Sequence, residues 1–328
     1  MKRVNNLIEV VADADNLRLA FWKAKKGKND TQEVEAYRQH LDENLRRLSV
    51  QILRGCIEVG DYRYFKIYEP KERQICASAF REQVLHHALM NICHDYFEKY
   101  QIDDSYASRK GKGTYAAIEK ARFFTKRYPY FLKLDVKKFF ESVHHDVLTI
   151  QLRRLFKDDR LLRILDQIID SYEAHPNRGL PIGNLTSQYF ANHFLAPLDH
   201  FIVENLQIKG YVRYMDDMVL WHSDKETLKL ALIAINDYVE NSLKGTLKPM
   251  LLNTSDRGLS FLGYRIFPSE FGLTHRSKYR FKRKMRILEE NYHSGEWSEA
   301  KCQRKILPLL AFTQHANTLG LRKSIVLN

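Results

Sequence analysis

The chain has 328 residues, of which 44% are hydrophobic and 12% aromatic; it is too apolar for a disordered tail, and its length suggests about two domains. Lys and Arg number 53 against 40 Asp and Glu, a formal charge of +13, so the expected partner is a polyanion, nucleic acid before an acidic membrane. The four cysteines lack CxxC spacing and no apolar run approaches the ~18 residues of a membrane span, which leaves a soluble intracellular protein with reduced thiols as the expectation.

Residues 1–60 read as mostly helical, because Leu41, Leu45, Leu48, Ile52 and Leu53 recur at three- and four-residue spacing among Arg46, Arg47 and Arg54. Residues 61–75 read as extended, with a basic turn at Glu69-Pro70-Lys71-Glu72-Arg73. Helical period returns over 79–98. Arg109-Lys110-Gly111-Lys112-Gly113 is a short basic loop, followed by a helix from Thr114 to Lys126. Tyr130 to Asp135 is a strand ending in an acid. Helix is predicted over 144–171 and again from Asn184 to Phe201, around a loop at His175-Pro176-Asn177-Arg178-Gly179. Tyr211 to Trp221 is strongly strand-like, 224–243 is an amphipathic helix, and short strands follow near Leu247–Leu252 and Leu259–Phe267. Composition shifts after Pro268. The stretch 276–286 holds Arg276, Lys278, Arg280, Lys282, Arg283, Lys284 and Arg286 and no acid. The expected divisions are therefore 1–60, a helical extension; 61–268, the central body; and 269–328, a basic helical segment.

Adjacent aspartates occur three times. Asp103-Asp104 and Asp158-Asp159 have polar neighbours and read as solvated surface. Asp216-Asp217 interrupts an apolar strand on both sides, and each uncompensated carboxylate in such a setting costs several kcal/mol. A divalent cation would offset that cost. Asp135 closes its own apolar strand and fits the same scheme. Three carboxylates with few His or Cys candidates suit an oxygen-liking ion, Mg²⁺ or Mn²⁺, rather than Zn²⁺. A strand-end Asp and an Asp-Asp turn are also common without any metal.

The run Tyr214-Met215-Asp216-Asp217, Asp135 with Phe140 five residues on, Gly179-Leu180-Pro181-Ile182-Gly183-Asn184-Leu185-Thr186-Ser187-Gln188, and Phe261-Leu262-Gly263-Tyr264 occur in the order of the reverse transcriptase motifs. The chain resembles that superfamily over roughly residues 60–328. Ile182 stands where most prokaryotic relatives carry Gln, and the Ile-Gly-x-x-x-Ser-Gln form resembles the reverse transcriptases of diversity-generating retroelements. The resemblance implies an α+β right-hand polymerase of fingers, palm and thumb, cytoplasmic and encoded by a bacterium or phage. Its activity would be RNA-directed DNA synthesis with two Mg²⁺ ions, Mn²⁺ being a possible substitute.

By the same resemblance, Asp135, Asp216 and Asp217 would be catalytic metal ligands. Lys71 and Arg73 would hold the incoming triphosphate, although a Lys-x-Arg turn is often merely solvated. Phe140 would lie beneath the incoming sugar and disfavour a 2′-hydroxyl; ordinary core packing is its other reading. Ile182 would relax selection opposite template adenines, or simply pack under its loop. Gln188 would order that loop or touch the template, and Lys248 would stand near the leaving pyrophosphate. Arg109, Lys110 and Lys112, with the basic run 276–286, would grip nucleic-acid phosphates. The implied partners are an RNA template, the primer or cDNA, deoxynucleoside triphosphates, and a small basic accessory protein that assembles as a ring. A retron or defence-type enzyme, or a non-catalytic maturase-like RNA-binding protein, are the alternatives.

Overall fold

A computed structural model of the chain describes residues 3–28, 31–68 and 72–326. In chain order the helices and strands begin with α1 (Ile8–Val11), α2 (Ala14–Ala24), α3 (Gln32–Gln39), α4 (Leu41–Arg54), β1 (Tyr62–Ile67), β2 (Arg73–Ser78) and α5 (Phe80–Tyr100). Next come α6 (Thr114–Arg127), β3 (Tyr130–Asp135), α7 (Phe139–Ser142), α8 (His145–Leu155), α9 (Asp159–Asp170) and α10 (Leu185–His200). They are followed by β4 (Gly210–Tyr214), β5 (Asp217–His222), α11 (Lys225–Asn241) and β6 (Leu251–Thr254). The last are β7 (Leu259–Phe261), β8 (Tyr264–Ile266), β9 (Phe271–Leu273), α12 (His275–His293), α13 (Glu299–Gln314) and α14 (Leu319–Val326). The strands form three sheets of order β1-β2, β4-β5-β3-β6 and β7-β8-β9, and the pairs β1–β2, β3–β6, β4–β5, β7–β8 and β8–β9 are antiparallel, which makes the class α+β as expected.

The chain divides into two compact units. The first comprises Met1–Asp103, Asp135–Asn205 and Ile233–Lys248; the second comprises Asp104–Leu134, Leu206–Leu232 and Pro249–Asn328. Among the described residues, no helix is long and apolar enough to cross a membrane. All four cysteines are free; Cys76, Cys93 and Cys302 are buried and Cys56 is exposed.

In the first unit, α5 is the central helix, packed by α1, α2, α3 and α10. Asp13 caps α2 by accepting from the N–H groups of Asp15 and Asn16. The expectation that Asp158-Asp159 is a solvated pair fails at Asp158, which is buried. Its Oδ2 accepts from the N–H groups of Leu7 and Ile8 at 2.9 and 3.0 Å, and its Oδ1 accepts from Leu161 N–H at 3.2 Å. One carboxylate thus serves the starts of both α1 and α9, whose unpaired N–H groups and dipoles replace water. The same cap explains why the stretch 144–171 is two helices rather than one. Phe156 is extended (φ −110°, ψ 152°) and bridges Val4, and Lys157 N–H donates to Val4 O at 2.6 Å.

In the second unit, α6 packs behind β4 and β5, with Phe124 and Trp221 in ring contact and Trp221 Nε1 donating to Thr125 Oγ1 at 3.2 Å. Tyr211, Val212, Met218, Val219, Leu220 and Trp221 are all fully buried, as two short apolar strands covered on both faces require. The strand expected near Leu247–Leu252 begins only at Leu251, because Pro249 lacks the N–H that a ladder needs. The C-terminal helices hold together through Phe281, Met285 and Leu288. Thr274 caps α12 at Ser277 N–H, and Tyr264 donates its hydroxyl to Phe312 O at 2.6 Å.

Candidate active site

The strand-like run of residues 211–221 folds as a hairpin. Tyr214 pairs with Asp217, leaving Met215 and Asp216 as a two-residue turn. Met215 takes φ 57° while Asp216 keeps a negative φ. Positive φ at the first turn position matches a tight turn to the twist of its strands, at a price for a side-chain-bearing residue of about 1–2 kcal/mol. The Arg213 guanidinium, wholly buried, answers that strain by donating to Met215 O at 3.1 Å. The Arg213 main chain is fixed in turn: its N–H donates to Asp104 O at 2.9 Å and its carbonyl accepts from Tyr106 N–H at 3.0 Å.

Asp217 Oδ2 accepts from Lys133 Nζ at 3.1 Å, and Lys133 also donates to Ser260 O at 2.9 Å while lying 5.7 Å from the centre of the Phe261 ring. Asp135 Oδ1 accepts from Lys248 Nζ at 2.7 Å, and its carbonyl accepts from Lys248 N–H at 2.8 Å. Lys248 is therefore tied twice to the strand-end acid. The acid side chains are partly exposed, 22% at Asp217 and 30% at Asp135, although Asp217 Oδ1 itself is buried.

Asp135 and Lys248 belong to the first unit; Asp216, Asp217 and Lys133 belong to the second. Among the described residues, no three His, Cys, Asp or Glu side chains form a metal-holding group. The donor chemistry still fits a hard cation. The candidate ligands are carboxylates without thiolate or imidazole, and two of them already draw an ammonium to hydrogen-bond distance.

Phe140 is half-buried on α7, beside Phe139, and its carbonyl accepts from Leu180 N–H at 2.7 Å. Ile182 is half-buried as well, and its carbonyl accepts from Cys76 N–H at 2.8 Å. Gly183 (φ 131°) sits so close that a Cβ there would lie 3.1 Å from Cys76 O and from the Ile75 side chain. The Gly179–Gly183 loop is thus locked onto β2, the strand that Arg73 begins. Arg73 is exposed and pairs in register with Ile67. Lys71 lies outside the described residues. Gln188 is exposed in the first turn of α10, and its side chain makes no hydrogen bond among the described residues.

Arg109 folds back to donate to Ser105 O at 2.7 Å, Lys112 lies over the Tyr106 ring, and Lys110 is exposed. On α12, Ser277, Phe281, Met285 and Leu288 make the buried stripe. Arg276, Lys278, Lys282 and Arg286 are exposed on the rest of the helix, and Arg280, Arg283 and Lys284 are half-buried.

Sequence reasoning missed Lys133 and Arg213. Each had a signal: a single cation inside an otherwise apolar strand needs an anion or carbonyl partner nearby.

Residues 69–266 match the family described as reverse transcriptase (RNA-dependent DNA polymerase). The chain is 25% identical over 224 residues to a putative COX1/OXI3 intron 1 protein of Saccharomyces cerevisiae, covering 64% of this chain and 27% of that protein. It is 23% identical over 274 residues to protein YkfC of Escherichia coli, covering 67% of this chain and 71% of that one. It therefore spans about a quarter of the length of the yeast relative. Among solved structures, apo telomerase from Candida tropicalis aligns with a TM-score of 0.51 at 12% identity, over 67% of this chain and 49% of that chain, a likeness of fold.

Proposed function

This chain belongs to the reverse transcriptase family, and from that premise we propose that it is an RNA-directed DNA polymerase that extends a 3′-hydroxyl on an RNA template and releases pyrophosphate. The observation that carries the reading is the β4–β5 hairpin: a strained two-residue turn, braced by a buried arginine, that presents two adjacent carboxylates. A turn made merely to reverse the chain has no need of that acid pair or of the buried guanidinium.

In this reading Asp135, Asp216 and Asp217 hold two Mg²⁺ ions. When bound, the ions supply the positive charge that activates the 3′-hydroxyl and stabilises the departing oxygen. Lys71 and Arg73 hold the triphosphate, where charge accumulates in the transition state. Phe140 sets the floor under the sugar and excludes a 2′-hydroxyl. Lys248 keeps a positive charge beside Asp135 and the leaving group. The basic face of α12, with Lys110 and its neighbours, grips the duplex by its phosphates, a sequence-independent and salt-sensitive contact.

Ile182 supports the finer reading of a diversity-generating enzyme, error-prone at template adenines and working with a ring-forming basic accessory protein. A non-catalytic maturase is the second reading, favoured by the intron protein among its relatives. Primer extension on an RNA template with Mg²⁺ separates the two. The expected result is cDNA from the native chain and none from Asp216→Ala; a native chain that binds RNA but extends no primer would overturn the polymerase.

A further inference from the structure

A second cluster of charge lies in the first unit, apart from the acids. A cavity of about 130 Å³ is lined by Lys137, Lys138, Glu141, His175, Arg178 and Lys244, among others. Glu141 is taken by Lys138, with Nζ and Oε2 2.9 Å apart. Lys137, Arg178 and Lys244 make no ion pair among the described residues. His144 is buried beside them; burial first, then the nearby charges of Lys244 and Arg178, hold its pKa below the usual histidine range.

These cations stand on hydrogen-bonded backbone. Lys137 N–H donates to Thr246 O at 2.8 Å, Arg178 N–H donates to His175 O at 2.9 Å, and Gly245 N–H donates to Val239 O at 2.9 Å. Lys244 is held at φ 54°, a conformation that a lysine seldom adopts. Three unpaired like charges around one small cavity repel each other until an anion enters. The volume is well below the roughly 300–1,000 Å³ of sites for drug-sized ligands, so the anion is a small inorganic one rather than a nucleoside.

We propose that this pocket receives the inorganic pyrophosphate released by nucleotide addition. The site stands on its own geometry, whereas the identity of its anion rests on the polymerase reading. Lys137 follows Asp135 by two residues, just past Val136, which bridges Leu247, and its N–H donates to Thr246 O, as Lys248 N–H donates to Asp135 O. A product formed at Asp135 therefore has a cationic receptor beside its point of origin, and each departure leaves the acids clear for the next nucleotide.

The test is titration of the 328-residue chain with inorganic pyrophosphate, without nucleic acid, followed by calorimetry and ³¹P NMR. Lys137→Gln, Arg178→Gln and Lys244→Gln are each expected to weaken binding by about tenfold. In primer extension, inhibition by added pyrophosphate is expected to weaken in parallel. Circular dichroism checks that each variant is folded; the two lysines are exposed, so their replacement leaves the core intact. Unchanged pyrophosphate affinity in all three folded variants overturns the proposal. So does an oligoribonucleotide that competes through the same residues and binds more tightly than pyrophosphate, which would assign the pocket to a phosphodiester of RNA. Failure of the native chain to extend a primer brings down the polymerase reading instead, and leaves the direct binding result to decide whether the pocket takes the anion.

Discussion

The buried guanidinium of Arg213 donates to the carbonyl of Met215 across 3.1 Å, so the strand leading into the acidic turn also braces it. Arg213→Gln removes the charge and leaves that carbonyl without its donor. The expected cost is about 1.5–3 kcal/mol of stability. Extension should fall by about 10²-fold in kcat, with KM for nucleotide much less affected, because carboxylates displaced by an ångström lose alignment. Arg213→Lys should rescue little, since an ammonium cannot reproduce the planar fork. Thermal unfolding and steady-state primer extension read the two effects separately.

Ile182→Gln places a hydrogen-bonding side chain in a loop already fastened to β2. Its expected effect is fewer misincorporations opposite template adenines, with little change opposite the other bases. Deep sequencing of cDNA from an adenine-rich RNA template measures this, and an unchanged error spectrum would show that Ile182 only packs.

Asp158→Ala strips three backbone N–H groups of their acceptor, at the starts of α1 and α9. The loss should be about 3 kcal/mol by urea denaturation. Asp158→Asn keeps an acceptor oxygen but not the charge, and should lose about half as much. Equal losses in the two variants would mean that charge at the helix starts contributes more than the hydrogen bonds.

Burial lowers the pKa of His86 to about 3, with His87 adding to the effect, and lowers that of His193 to about 4. The unfolded chain takes up these protons near 6.5, so it binds more protons than the folded chain between about pH 6.5 and pH 4. Stability is therefore complete above pH 6.5 and declines as the pH falls through that window, by about 2 kcal/mol per histidine between pH 7 and pH 5. Unfolding free energies measured across that range should show the slope, and His86→Leu should flatten it. A slope unaltered by both His86→Leu and His193→Leu would place the proton uptake elsewhere.

Much of the fold is legible in the chain because its elements carry one dominant period. The strand at Tyr130–Asp135 and the helix at Phe80–Tyr100 follow from apolar spacing alone. The Asp216-Asp217 turn is legible for the opposite reason, since it breaks such a pattern. What sequence does not reveal is long-range pairing. Asp158 looks solvated beside its polar neighbours, yet its donors include Leu7 and Ile8, 151 and 150 residues away. Lys133 and Asp217 are 84 residues apart, and Lys248 and Asp135 are 113 apart. No local rule couples such positions; only the folded backbone does.

The lock between Cys76 and Ile182 carries one more implication. With Gly183 pressed against Ile75 and Cys76, neither segment can gain bulk by itself. Across descendants of this gene, changes at 75 and 183 should be inherited as matched sets, and a β1–β2 hairpin transplanted from a distant cousin should work only when its own loop comes with it.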